Sequence, residues 1–197
     1  MIVVFYDSIC FLDLACSFFL CINIFMENPS VIIVMGVSGS GKSFIGKMLA
    51  EKWGAVFEDA DDFHPPSNIE KMKNHCPLTD EDRLPWLSDL RKRIIAYRKS
   101  GIRYVLACSA LKESYRSILR GDDDNEIVFV FLHGDKELIR KRMEEREHFM
   151  PPALLDSQLA TLEVPEYAIQ VDIDKNPQEI VDYILDSIEK RNLNAFV

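Results

Sequence analysis

The stretch that decides the fold is Val31-Ile-Ile-Val-Met-Gly-Val-Ser-Gly-Ser-Gly-Lys-Ser-Phe-Ile-Gly46. Five apolar residues, Val31 to Met35, read as a buried strand. A turn follows in which Gly36, Gly39 and Gly41 are interleaved with Val37, Ser38 and Ser40, and Lys42 and Ser43 close it. From Lys42 to Lys52 the apolar residues Phe44, Ile45, Met48 and Leu49 recur at helical spacing, and Gly54 suits a helix stop. A glycine-rich turn between a strand and a helix leaves backbone N–H groups aimed at one point, which makes an anion nest. Gly36-x4-Gly41-Lys42-Ser43 fits the phosphate-binding loop at every position, in the confirming strand–turn–helix context. Gly36 to Ser43 are therefore the expected nucleotide-binding residues. Lys42 would reach the β and γ oxygens, and the Ser43 hydroxyl would ligate Mg²⁺.

The rest of the chain repeats that alternation. "AVFED" reads as a second strand, "RYVLACS" as a third, "EIVFVFL" as a fourth and "YAIQVDI" as a fifth. Helices are predicted over Asp80–Lys99, Lys112–Leu119, Asp135–Arg146 and Pro177–Lys190. Thr79 with Asp82 three residues on predicts a capping box for the first of these, with Gly101 closing it. Strands that each feed a helix imply an α/β fold: a doubly wound, five-stranded parallel sheet with helices on both faces. Ligands of such sheets bind at the carboxyl ends of the strands.

"EDADDFHP", Glu58 to Pro65, closes the second strand at that end. Asp59 and Asp61 are two apart, so on extended chain they would share a side. Phosphoryl transfer to an alcohol needs a metal near the phosphates and a carboxylate beside the acceptor hydroxyl. Asp59 is read on the metal side and Asp61 as the base, and these two roles can be exchanged. The plain alternative is a solvated acidic turn.

Bulk properties set the frame. The 197 residues carry a net charge of −9, which argues against a general affinity for nucleic acid or acidic membranes. Five cysteines without a CxxC pair point to a reducing, cytoplasmic setting and no structural zinc. Residues 1–29 stand apart from the rest. They are mostly apolar, yet no Lys or Arg precedes Lys42, and Asp7 and Asp13 interrupt the run. Each Asp would cost about 2.5 to 3.5 kcal/mol at a bilayer centre. The expectation is an extension or variable tail rather than a membrane anchor, with translation from Met26 as one origin, and a kinase domain over 30–197.

Six segments occur in an order that resembles one family: "GVSGSGKS", "DADDFHP", "NIEKMKNHCPLTDEDRLPWL", "CSALKESYRSILR", "HFMPPALLDSQLATLE" and "VDID". They resemble the gluconokinases of the small P-loop type, relatives of shikimate and adenylate kinases. The resemblance implies ATP- and Mg²⁺-dependent phosphorylation of D-gluconate on its 6-hydroxyl. His64, Lys71, Arg83 and Lys112 stand in the matching motifs and, with Asp61, would bind the substrate. For Arg83 an intrahelical pair with Asp80 or a glutamate is the alternative. Lys112 and Arg116, at i and i+4, could meet substrate or form a solvated face. The resemblance places a lid at about 142–158 that brings an arginine to the phosphates, with Arg146 assigned to catalysis and Arg142 to the nucleotide. The family's usual Arg-x-Gly-His-Phe reads here Arg146-Glu147-His148-Phe149, without the glycine. A P-loop kinase of another small acid or nucleotide is the second enzyme reading, a nucleotide-binding module without catalysis is the competing class, and a homodimer stays open.

Overall fold

The computed structural model describes residues 29–74, 76–122, 126–145 and 153–194. The reading of residues 1–29 as a tail lies outside the described residues except at Pro29. Among those described, no helix is long and apolar enough to cross a membrane.

Five strands form one sheet: β1 (Val31–Met35), β2 (Val56–Asp59), β3 (Tyr104–Ala107), β4 (Ile127–His133) and β5 (Ile169–Asp172). Their order is β2-β3-β1-β4-β5, and every pairing is parallel. In register, Val31 lies between Tyr104 and Ile127. All five residues of β1 are fully buried. Its side chains alternate between two cores. Ile32 and Val34 pack on one face with Ile45, Leu49, Ile139 and Ile184, whereas Val31, Ile33 and Met35 pack on the other with Trp86, Leu87, Leu90 and Leu119. A strand apolar on both faces is what a parallel sheet covered by helices requires.

The helices are α1 (Lys42–Trp53), α2 (Pro66–Lys73), α3 (Asp80–Lys99), α4 (Glu113–Arg120), α5 (Lys136–Glu144), α6 (Ala153–Thr161) and α7 (Pro177–Asn194). Gly54 adopts the left-handed conformation that ends α1. The Thr79 capping box is formed in both directions. Three elements lie beyond the sequence expectation: a 3₁₀ turn at Ala60–Phe63, α2 and α6. Helix α2 has eight residues, too few to show a period, although Pro66 at its first position is a start signal. The strand order turns at β1, which sends its neighbours to opposite sides and opens a crevice at its carboxyl end. The glycine-rich turn fills that crevice. Gly36 could not carry a side chain there, since a Cβ would stand 2.6 Å from the Leu132 carbonyl oxygen of β4. A Cβ on Gly39 would meet the Met143 side chain at 2.6 Å.

Candidate active site

Two cavities flank the glycine-rich turn. The first is walled by Ser38 and Lys42, by Asp61 and His64 after β2, by Leu78, Arg83 and Trp86 around the start of α3, by Ser109 and Tyr115 after β3, and by Ser157, Gln158 and Thr161 of α6. The second is lined by Ser40, Gly41, Phe44, Arg142, Ile173, Lys175 and Pro177.

Lys42 lines the first of them. Its Nζ donates to the Val37 carbonyl at 3.0 Å. Burial pulls its pKa below the ordinary lysine value, while the charges of Asp61 and then Asp59 oppose that shift. A half-buried ammonium near two carboxylates is no surface lysine. Ser43 donates its hydroxyl to Asp59 Oδ2. Hydroxyl and carboxylate oxygens side by side form a hard donor pair of the kind Mg²⁺ takes, with water completing its octahedron. The Ser40 hydroxyl is buried and has no hydrogen-bond partner among the described residues, so a polar ligand at the turn would satisfy it.

The two acids do not share one side of an extended strand. The chain leaves β2 at Asp59 and enters the 3₁₀ turn, and Asp59 Oδ1 accepts the Asp61 backbone N–H at 3.1 Å. Asp59 thereby faces Ser43, and Asp61 faces the first cavity. The Asp61 side chain is 74% exposed to that cavity, yet the walls around it raise its pKa above the ordinary carboxylate value. Loss of hydration against those walls is the largest cause, opposed by Lys42 and reinforced by Asp59.

His64 is not a cation here. Its ring stacks on Trp86 with centroids 4.2 Å apart. Burial, helped by the positive charge of Arg83, lowers its pKa to about 4. Asn68 Nδ2 lies 3.5 Å from Nδ1, so the proton of the neutral ring belongs on Nε2, the side of Asp61. Asn68 itself is buried and donates to the Asp82 carbonyl at 2.9 Å.

The remaining basic residues divide. Lys71 pairs with Asp82 at 2.7 Å and Lys112 with Asp80 at 2.8 Å. Neither lines the cavity, which departs from the substrate contacts read from the sequence. The acidic first turn of α3 draws both, because carboxylates gather at helix N-termini. Arg83 does line the cavity. Its Nη1 donates to the Leu78 and Thr79 carbonyls, and its guanidinium stands 5.7 Å from the Tyr115 ring centroid. Among the described residues it makes no ion pair within α3, contrary to the intrahelical alternative.

Arg116 is neither a substrate contact nor a solvated face. It is 1% exposed and donates to the Ala110 and Leu111 carbonyls at 2.9 and 3.1 Å, to Glu113 and to the Tyr167 hydroxyl. Ala110 has a positive φ of 43°, an uncommon conformation for alanine. Arg116 thus ties down the strained loop that carries Ser109 into the cavity. Cys108, beside it, is buried, and its thiol is pushed up to about 12, which suits packing rather than chemistry. Arg142 lies in the second cavity and donates to the Ile173 carbonyl at 3.1 Å. Arg146 lies outside the described residues.

Gln158 and Tyr115 belong to the site without having been singled out in the sequence. Both lie inside quoted motifs, but nothing in a lone glutamine or tyrosine marks it as facing a cavity.

Comparison with known proteins adds the family. Residues 38–189 match the shikimate kinase family. A gluconokinase of Gluconobacter oxydans is 45% identical over 162 residues, covering 80% of this chain and 90% of that protein. The thermosensitive gluconokinase of Escherichia coli is 48% identical over 135 residues, covering 68% and 72%. The crystal structure of a gluconokinase from Sinorhizobium meliloti superposes with a TM-score of 0.77 at 43% identity, covering 86% of this chain and 97% of that one. The chain belongs to the gluconokinases of the small P-loop type, within the shikimate kinase family, and is a kinase, that is, a phosphotransferase.

Proposed function

We propose that the enzyme transfers the terminal phosphoryl group of ATP to the 6-hydroxyl of D-gluconate, with Mg²⁺ held at Ser43 and Asp59. One observation carries the reading: Lys42, Asp61 and Arg83 line a single cavity. The names of the relatives support gluconate as the acceptor.

Bound at Ser43 and Asp59, Mg²⁺ would offset phosphate charge and orient the terminal phosphoryl group. The chain's own residues do the rest. The turn from Gly36 to Ser43 cradles the phosphates, and Lys42 stabilises the charge that spreads over the transferring oxygens. Asp61 takes the proton of the attacking hydroxyl. Its raised pKa makes its carboxylate a better proton acceptor than that of an ordinary aspartate. Neutral His64 keeps its Nε2–H on the Asp61 side, as a donor to a sugar hydroxyl. Trp86 and Tyr115 offer the sugar chain apolar faces. Arg83 offers its remaining guanidinium donors to the carboxylate, in the forked geometry that a carboxylate matches.

The test is a coupled assay of ADP release against gluconate, glucose, shikimate and nucleoside monophosphates. Gluconate is expected to lead. Glucose has the 6-hydroxyl but no carboxylate, so it leaves Arg83 without its partner and falls behind by several kcal/mol in kcat/KM. Arg83→Ala is then expected to hurt gluconate far more than glucose. Equal losses would assign Arg83 to the fold. A higher rate on shikimate or a nucleotide would overturn the acceptor while leaving the kinase in place.

A further inference from the structure

The glycine-rich turn has two sides. Ser40 and Gly41 line the second cavity, whereas Ser38 and Lys42 line the first, where Asp61 stands. Ser38 is therefore the member of the turn that faces the place where a phosphoryl group meets its acceptor. Its backbone N–H and its hydroxyl are both held by one side chain 120 residues further along. The Ser38 backbone N–H donates to Gln158 Oε1 at 2.7 Å, and Gln158 Nε2 donates to Ser38 Oγ at 3.0 Å. Lys42 is held in the same manner, by the neighbouring Val37 carbonyl. Two groups expected to meet phosphate thus rest on neutral oxygen acceptors.

A carboxamide is suited to this. Its oxygen satisfies the backbone donor, its nitrogen satisfies the hydroxyl, and it brings no charge into an anion site. A phosphoryl oxygen is the stronger acceptor, because charge-assisted hydrogen bonds are roughly twice as strong as neutral ones. We propose that Gln158 is a positioning residue that holds the Ser38 N–H until the terminal phosphoryl group of the nucleotide takes it. Gln158 belongs to α6, whose Ser157 and Thr161 also face the first cavity. Arrival of the third phosphate therefore changes what α6 presents to the acceptor. A nucleoside diphosphate has no terminal group to reach Ser38, and leaves the Gln158 contact in place. The inference rests on ATP as the phosphoryl donor.

Calorimetry on the full chain with Mg²⁺ separates the two nucleotides. The probes are ADP and AMP-PNP, a triphosphate analogue that does not transfer its phosphoryl group. Gln158→Leu removes the competing acceptor, so AMP-PNP is expected to bind about three- to tenfold more tightly, the worth of one hydrogen bond, with ADP unchanged. Gln158→Glu keeps an acceptor but adds negative charge. It is expected to weaken AMP-PNP about tenfold and ADP far less, and it carries the test if the leucine variant melts early. Equal shifts for the two nucleotides, or weaker AMP-PNP binding in Gln158→Leu, would overturn the inference alone. Failure of both nucleotides to bind the unaltered chain would overturn the ATP reading and this inference with it.

Discussion

The imidazole of His64 lies flat on the indole of Trp86, with ring centroids 4.2 Å apart and planes 17° from parallel. The indole is anchored in turn, since Trp86 Nε1 donates to the Ala60 carbonyl at 2.8 Å. The pair joins the turn after β2 to helix α3, and it keeps His64 in its neutral form.

That burial sets a pH dependence. Unfolded, the ring titrates near 6.5; folded, near about 4. Between those values the unfolded chain binds more protons, so stability rises with pH there and falls as pH drops from 6.5 towards 4. The loss attributable to His64 reaches about 3 kcal/mol at the acid end, at about 1.4 kcal/mol per pH unit. Denaturant unfolding at a series of pH values should show this slope in the parent chain and a shallower one in His64→Gln. Identical slopes would show that His64 titrates as freely folded as unfolded.

Asp61 and Asp59 should separate kinetically. Asp61→Asn keeps shape and polarity but cannot take a proton, so kcat is expected to drop a hundredfold or more, about the worth of a positioned base, with ATP affinity nearly unchanged. Asp59→Asn is expected to act instead on the Mg²⁺ concentration needed for half-maximal rate. The reverse pattern would exchange the two roles.

Lys42→Ala should abolish turnover while leaving the melting temperature within a few degrees. Its ammonium contributes little to the fold, being desolvated and, among the described residues, hydrogen-bonded only to the Val37 carbonyl at 3.0 Å. Turnover at the parent rate would remove the turn from the mechanism.

Arg116→Ala should do the opposite and cost stability first. It strips the donors from the Ala110 and Leu111 carbonyls and opens a hole beneath a loop already strained at Ala110. A loss of about 2 to 4 kcal/mol is expected, the range for breaking a buried polar network. Thermal unfolding would measure it, and a melting temperature equal to the parent's would refute the role.

A chain shortened to begin at Met26 is expected to fold and turn over as the parent does. Strand β1 begins at Val31, and Ser30 and Val31 already donate to the Glu126 carbonyl. Loss of solubility on shortening would mean that the apolar segment packs against the domain.

The amino-acid sequence by itself determined the features that depend on neighbours along the chain. The glycine-rich turn, the Thr79 capping box, the stop at Gly54 and the five strands each follow from backbone sterics and periodicity over a few residues. Tertiary structure alone decided the partners of the charged and polar side chains. Lys71, Arg83, Lys112 and Arg116 look alike as letters, yet two pair with the first turn of α3, one faces the cavity and one is buried under a loop. His64 became neutral because folding buried its ring against Trp86 and near Arg83, and Gln158 met Ser38 across 120 residues. Long side chains and single hydrogen bonds carry no period, and their energies are set by the burial and charge of whatever folding places beside them.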